Sequence, residues 1–238
     1  MLKVHLSIDD VIYSFLDLIK LEPASVFDVD LFKMLKNLNK EYGAVFTLYC
    51  YENYANSYFV SQISAKYWRE MAESGFLRLA YHGPFEASEY SVFFKECCDF
   101  YKNIPTTLYA NRARLHRYSG DEQSIELLKK FKVEELLCRE NYSRNFGEFQ
   151  ASYILSEKEE QILDEKCILK NGIMYRKTDV RIEFYTKSDL KCVFDDYAIK
   201  KRNDVLVVFT HEKKIRESEL LLINTLQQLK EYNVEYIF

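Results

Sequence analysis

The chain has 238 residues, 48% of them hydrophobic, with 33 Lys and Arg against 37 Asp and Glu and a formal net charge of −4. That length holds one α/β barrel or two small domains, and the apolar share argues against disorder. The mixed charges, with no basic block, disfavour a nucleic-acid partner. No run approaches the roughly 18 apolar residues of a membrane span, and the N-terminus enters a strand without a basic and apolar leader, so the expected compartment is the cytoplasm.

In chain order, Val4, Leu6 and Ile8 alternate with Lys3, His5 and Ser7, the period of a strand that delivers Asp9 and Asp10 at its C-terminal end. A helical stripe runs from Val26 to Tyr42 and stops at Gly43. Ala44–Tyr51 reads as a buried strand, Ser64–Ser74 as a helix ending at Gly75, and Phe76–Tyr81 as a strand ending at His82. Glu89–Lys102 is a predicted helix and Thr106–His116 a strand-like segment, followed by the turn Ser119-Gly120-Asp121. Ser124–Lys132 then reads as a helix and Val133–Cys138 as a strand. Residues 141–200 are less regular, with a turn at Gly172 and a strand over Val180–Phe184. Asp204–Thr210 is an apolar strand ending at His211, Glu217–Glu231 an amphipathic helix, and Val234–Phe238 a last strand. Such alternation predicts a parallel sheet covered by helices. The number of units predicts an α/β fold with a single, distorted (β/α) barrel of seven or eight strands. No linker or repeat divides residues 1–238.

The six cysteines lack zinc-knuckle spacing and are expected as reduced, mostly buried thiols. The 19 Tyr and 17 Phe point first to an aromatic core and second to an aromatic-lined sugar cleft.

Two adjacent carboxylates are costly to hold together unless something positive binds beside them. A divalent metal does this, with one carboxylate as ligand and the other free as a base; a helix cap at the strand end is the plainer alternative. Of the four histidines, His82, His116 and His211 fall near predicted strand ends, on the rim where parallel α/β folds place their chemistry. Glu86 follows His82 by four residues, and imidazole with carboxylate suits zinc or a similar ion, although Gly83-Pro84 works against a helix there. Arg112, Arg114 and His116 alternate along one strand face, and an arginine beside an Asp pair keeps one Asp ionised and oriented. His211 ends an apolar strand, as an oriented acid or base would, with Glu212 the candidate to orient it. Asp179 and Arg181 alternate together, either as residues that support the site from behind or as a surface ion pair, the ion pair being preferred.

Taken in order, Ser7-Ile8-Asp9-Asp10, His82, Arg114 with His116, and Phe209-Thr210-His211 resemble the motifs of the NodB-type polysaccharide deacetylase superfamily. The resemblance runs from residue 7 to residue 211. It implies a distorted (β/α) barrel with a divalent metal, zinc foremost. It implies Asp9 as the catalytic base, held by Arg114, and His211 as the general acid. Asp10 and His82 become metal ligands. Glu86 stands where that family has a second ligand His, so Glu86 or His116 is the candidate third ligand. Val11 replaces the usual Gly after the Asp pair, and the arginine motif lacks its Pro. The expected activity is removal of an acyl group, acetyl above all, from a carbohydrate or related small molecule. The alternative is a metal-less barrel of the same form that binds carbohydrate or a partner.

Overall fold

The computed structural model describes residues 1–54, 58–84, 89–140, 151–200 and 204–238. Its strands are β1 (Leu2–Val11), β2 (Phe46–Cys50), β3 (Leu77–Tyr81), β4 (Arg112–Ala113), β5 (Glu135–Cys138), β6 (Ile168–Lys170), β7 (Ile173–Lys177), β8 (Val180–Arg181), β9 (Val205–His211) and β10 (Val234–Ile237). The helices are α1 (Tyr13–Leu21), α2 (Asp30–Tyr42), α3 (Ala65–Ser74), α4 (Tyr90–Asn103), α5 (Glu122–Lys130), α6 (Glu157–Ile162), α7 (Lys187–Lys200), α8 (Glu212–Glu217) and α9 (Leu220–Leu229). Among the described residues no helix is long and apolar enough to cross a membrane.

Two sheets form, one in the order β3-β2-β1-β9-β8 with β10 also on β1, the other β4-β5-β7-β6. Among the described residues every strand pairing is parallel except the hairpin β6–β7. That hairpin turns through Asn171 and Gly172, both at positive φ (51° and 72°), as a two-residue hairpin turn requires. The predicted parallel sheet under helices is therefore present.

Regular pairing does not close a barrel among the described residues. The expected long strand over Thr106–His116 is the reason. Only Arg112–Ala113 pairs as a strand, with short 3-10 turns at Thr106–Leu108 and His116–Tyr118 on either side. The sheets instead meet through local contacts. A single bridge joins Leu79 to Tyr109, and the His116 N–H donates to the His82 carbonyl at 2.6 Å. On the other side the chain passes from β7 directly into β8. There the Thr178 N–H donates to Cys138 O (3.1 Å) and the Asp179 N–H to Val207 O (3.0 Å).

β1 lies at the centre, between β2 and β10 on one side and β9 on the other. Residues 4–9 of β1 are all buried, as expected for a parallel strand covered on both faces. The polar members of its alternation, His5, Ser7 and Asp9, thus lie in the interior and not in solvent. Below the rim, toward the strand N-termini, Glu135 accepts hydrogen bonds from Arg112 and from Arg176 Nε, the latter at 2.5 Å. Arg176 also reaches Asp204 at 2.9 Å, and His5 Nε2 lies 3.3 Å from the Tyr49 hydroxyl. Most of the aromatic wealth is core: Tyr49, Tyr51, Tyr58, Tyr81, Tyr101, Phe15, Phe32, Phe46 and Phe100 are fully buried. The cysteines are free thiols, with Cys50, Cys97 and Cys138 buried.

α1 was not expected from the sequence. It has no capping side chain of its own. Glu212, fully buried, caps it from 200 positions away, accepting the N–H groups of Ile12 (2.6 Å), Tyr13 (2.8 Å) and Ser14 (2.7 Å). A carboxylate at a helix N-terminus meets both the unpaired donors and the positive end of the dipole.

Candidate functional site

The site begins with an irregularity in β1. Ile8 pairs with Leu48 and Val11 with Cys50, so Asp9 and Asp10 together face Tyr49 alone. This is a β-bulge, two residues against one. Asp10 takes up the extra residue at φ 54°, a left-handed conformation that costs a non-glycine residue energy. In a regular strand, neighbours point to opposite faces. The bulge lets both carboxylates serve one rim.

Asp9 points inward and is 2% exposed. Its Oδ1 accepts from Arg114 Nη1 at 2.8 Å. Arg114, 1% exposed, also donates to Ser7 Oγ and Thr178 Oγ1, each at 3.1 Å, and its guanidinium lies 4.1 Å from the centre of the Phe209 ring. Burial acts against the Arg114 charge, but the Asp9 carboxylate outweighs it and raises its pKa above the ordinary arginine value. The expected pairing of Arg114 with one Asp is therefore present.

Asp10 is half-buried. Its Oδ1 accepts from the Tyr51 hydroxyl at 2.5 Å and lies 3.3 Å from His82 Nε2, while Oδ2 lies 4.0 Å from His211 Nε2. Burial pushes its pKa up, but His82, Tyr51 and His211 together hold it well below the usual carboxylate range. His82 is buried, and its Nδ1 meets the Arg114 carbonyl at 2.5 Å. That contact requires the proton on Nδ1 and directs Nε2 toward Asp10.

His211 sits on β9 in register with Asp9. Its Nδ1 contacts Glu183 Oε1 at 2.6 Å, and Arg181 Nε donates to the same oxygen at 2.8 Å. Burial alone would lower the His211 pKa. The Glu183 hydrogen bond and the charges of Asp9 and Glu183 more than offset it, so the imidazolium persists above its ordinary range. Glu183 in turn is held below the usual carboxylate value by His211 and Arg181, against the effect of burial.

Several expectations are corrected here. Glu183, not Glu212, orients His211; Glu212 is spent on the α1 cap. Arg181 pairs with Glu183, and Asp179 accepts the Val207 N–H at 2.8 Å. Arg112, Arg114 and His116 do not share a strand face. Arg112 serves Glu135 below the rim, and His116 opens a 3-10 turn beside it. The His116 ring packs 5.6 Å from Tyr51 and 5.7 Å from His82, centre to centre, and burial lowers its pKa. Glu86 lies outside the described residues. Asp9, Asp10, His82, Arg114 and His211 are brought together. Tyr51 and Glu183 are additional members; Tyr51 was legible only as the residue ending a strand on the same rim.

Asp10 and His82 have the chemistry of divalent-cation ligands. His82 Nε2 and Asp10 Oδ1 lie 3.3 Å apart. Among the described residues, however, no group of three His, Cys, Asp or Glu side chains is arranged to hold a metal ion. The expected three-ligand set is therefore not assembled from them.

No protein-family model matches the sequence, and no curated protein matches it. Among solved structures, the chain over its whole length resembles part of the 4-alpha-glucanotransferase of Thermococcus litoralis, at TM-score 0.57 and 10% identity. A Mycobacterium smegmatis protein assigned as a polysaccharide deacetylase aligns over 99% of the chain and 92% of its own length, at TM-score 0.43 and 11% identity. This chain spans 37% of the glucanotransferase, and that likeness is one of fold.

Proposed function

We propose that the chain is a hydrolase that removes an acyl group, acetyl foremost, from a carbohydrate or related small molecule, on a single distorted barrel whose two sheets are joined at their seams. The observation that carries this reading is the meeting of an arginine-held carboxylate, a strongly acidic carboxylate and a carboxylate-held histidine at one end of the parallel strands. Asp9, held in place by Arg114, accepts the proton of the attacking water. His211, held protonated and oriented by Glu183, delivers a proton to the departing amine or alkoxide. Tyr51 and His82 fix Asp10, which stays charged. A divalent ion held by Asp10 and His82 would supply polarisation of the acyl carbonyl.

A second reading, a carbohydrate-binding chain without catalysis, is favoured by the incomplete ligand set among the described residues. Acetate release from a panel of acetylated sugars, with metal content measured in parallel, separates the two. The expected outcome is turnover by the wild type, loss of at least 10²–10⁴-fold in Asp9→Asn with metal retained, and loss of metal in Asp10→Asn. No acetate release, no metal and no thermal shift with zinc, cobalt or nickel would leave the binding reading.

A further inference from the structure

We infer that Arg181 is an anion clamp for the substrate, so that the molecule deacylated here carries a carboxylate or phosphate close to its acyl group. The inference rests on the deacylase reading above.

Position is the first support. Arg181 ends β8 in register with Phe209, which is itself in register with Ser7 of β1. Its Nε donates to Glu183 Oε1 at 2.8 Å, and His211 Nδ1 meets the same oxygen at 2.6 Å. One shared oxygen thus holds the guanidinium and the imidazole side by side. A substrate whose leaving atom reaches His211 also comes to Arg181.

The second support is the way the guanidinium is held. Carboxylate and guanidinium favour two parallel hydrogen bonds. Glu183 has a second oxygen to offer, since Oε2 is buried and has no hydrogen-bond partner among the described residues. Arg181 nevertheless meets Glu183 through Nε alone. Both Nη groups are left without a protein acceptor among the described residues. The plane of the fork is fixed by aromatic rings, with the guanidinium carbon 4.1 Å from the centre of Phe184 and 5.8 Å from that of Phe209. An arginine tied at one edge, stacked on its face and open at the other edge is pre-organised for an oxyanion, because little side-chain freedom remains to be lost. The side chain is 26% exposed, so an anion can reach it from solvent.

The distribution of charge is the third support. Arg114 is matched by Asp9, and Arg112 and Arg176 by Glu135 with Asp204. Glu183, by contrast, divides one negative charge between two cations, Arg181 and His211. Asp10 stands at the opposite nitrogen of His211, 4.0 Å from Nε2. The chain as a whole, at a net charge of −4, repels anions, so a preference for them has to come from local donors of this kind.

The test compares N-acetylglucosamine with its 1-phosphate, its 6-phosphate and N-acetylmuramic acid, by calorimetric binding and by acetate release. The phosphates and the carboxylate separate the two kinds of anion. At least one anionic sugar should bind about 10-fold tighter than the neutral one, as expected for charge-assisted hydrogen bonds at a partly exposed site. The advantage should shrink at about 0.5 M salt. Arg181→Gln should abolish it, and Arg181→Lys, which keeps the charge and loses the fork, should keep only about 2–3-fold. The lysine variant also serves if the glutamine one does not fold. No tighter binding of any anionic sugar by the wild type overturns the clamp. So does an Arg181→Gln protein that loses affinity or turnover for neutral and anionic sugars by the same factor, since that is the mark of a residue that only positions Glu183. An anion preference lost in Arg181→Gln, with no acetate released from any sugar, would remove the deacylase reading and leave the clamp. Acetate release at equal kcat/KM from neutral and anionic sugars would do the reverse.

Discussion

Two clusters of charged side chains lie within the sheets, one near the strand N-termini and one at the rim. The lower cluster, Glu135 between Arg112 and Arg176 with Asp204 beside them, pairs each buried charge with an opposite one. The upper cluster shares the same strand, since β1 gives His5 to the interior and Asp9 to the rim. There Asp10 is gripped by three neighbours and still remains 30% exposed at its side chain, and His211 remains 20% exposed. Buried polar groups are expected wherever both faces of a parallel sheet are covered. What marks a site is a charged group that is held in position yet still open to solvent. His5 illustrates the contrast: burial first, then the nearby Arg112 and Arg114, push its pKa well below the ordinary value, so it is a neutral structural histidine.

If this contrast is right, the two clusters fail in different ways. The largest effect is expected in the lower one. Glu135→Ala takes the carboxylate from Arg112 and leaves buried Arg176 only the exposed Asp204, and removing one partner of a buried pair costs about 3–5 kcal/mol. Chemical denaturation should show that loss, and any activity left at low temperature should have an unchanged pH profile. A loss of activity with no loss of stability would place Glu135 in the reaction.

At the rim the order reverses. Glu183→Gln should cost less stability than Glu135→Ala, because Gln keeps the shape and Arg181 and His211 stay partly exposed, and should lower the rate by about 10-fold, within the range of acid–base effects. The sign of the pH effect follows from His211. Its raised pKa keeps the imidazolium, and with it the proposed acid catalysis, until pH rises through that raised value. Without the Glu183 charge, the alkaline limb of kcat should move to lower pH. A limb that does not move would show that His211 is not the acid.

The smallest effect is at Glu52, which follows Tyr51 and borders a cleft that also carries Glu96, Asp99, Lys95 and Lys102. Burial first, then Glu96 and Asp99, raise its carboxyl to about 7. The folded state therefore binds this proton more tightly than the unfolded chain. Stability from this group is present below the ordinary carboxylate value and declines as pH rises through about 7. Glu52→Gln should raise Tm at pH 8 relative to wild type and leave it nearly unchanged at pH 4. An equal shift at both pH values would remove the titration argument.

Much of the rim was legible in the sequence because strand ends are legible. Asp9, Asp10, His82 and His211 each close a predicted strand, and a parallel sheet brings such ends together. What escaped were features that depend on long-range partners. The α1 helix carries no cap in its own sequence because Glu212 supplies it. Glu183 looked like one charge in a mixed stretch, since nothing local shows that β8 gives way to a 3-10 turn beside His211. The Thr106–His116 segment has enough β-branched and aromatic residues to read as a strand, yet pairs over two residues, because 3-10 turns flank the short stretch of ladder. Glu86 remains an expectation from sequence.

The central position of β1 also bears on how the chain acquires its shape. β1 meets β2 after a short stretch of chain, but its other neighbours, β9 and β10, come from the far end of the described residues. The Glu212 cap on α1 spans 200 positions, and the Leu2 N–H donates to Asn233 O at 2.7 Å. Contacts of such separation form slowly, because a long loop must close before they give any return. During synthesis, the β1 edge that finally receives β9 must wait unpaired, with its apolar side chains exposed to wrong partners. The Asp9–His211 register, and with it the proposed acid–base pair, can form only after β9 has been synthesised.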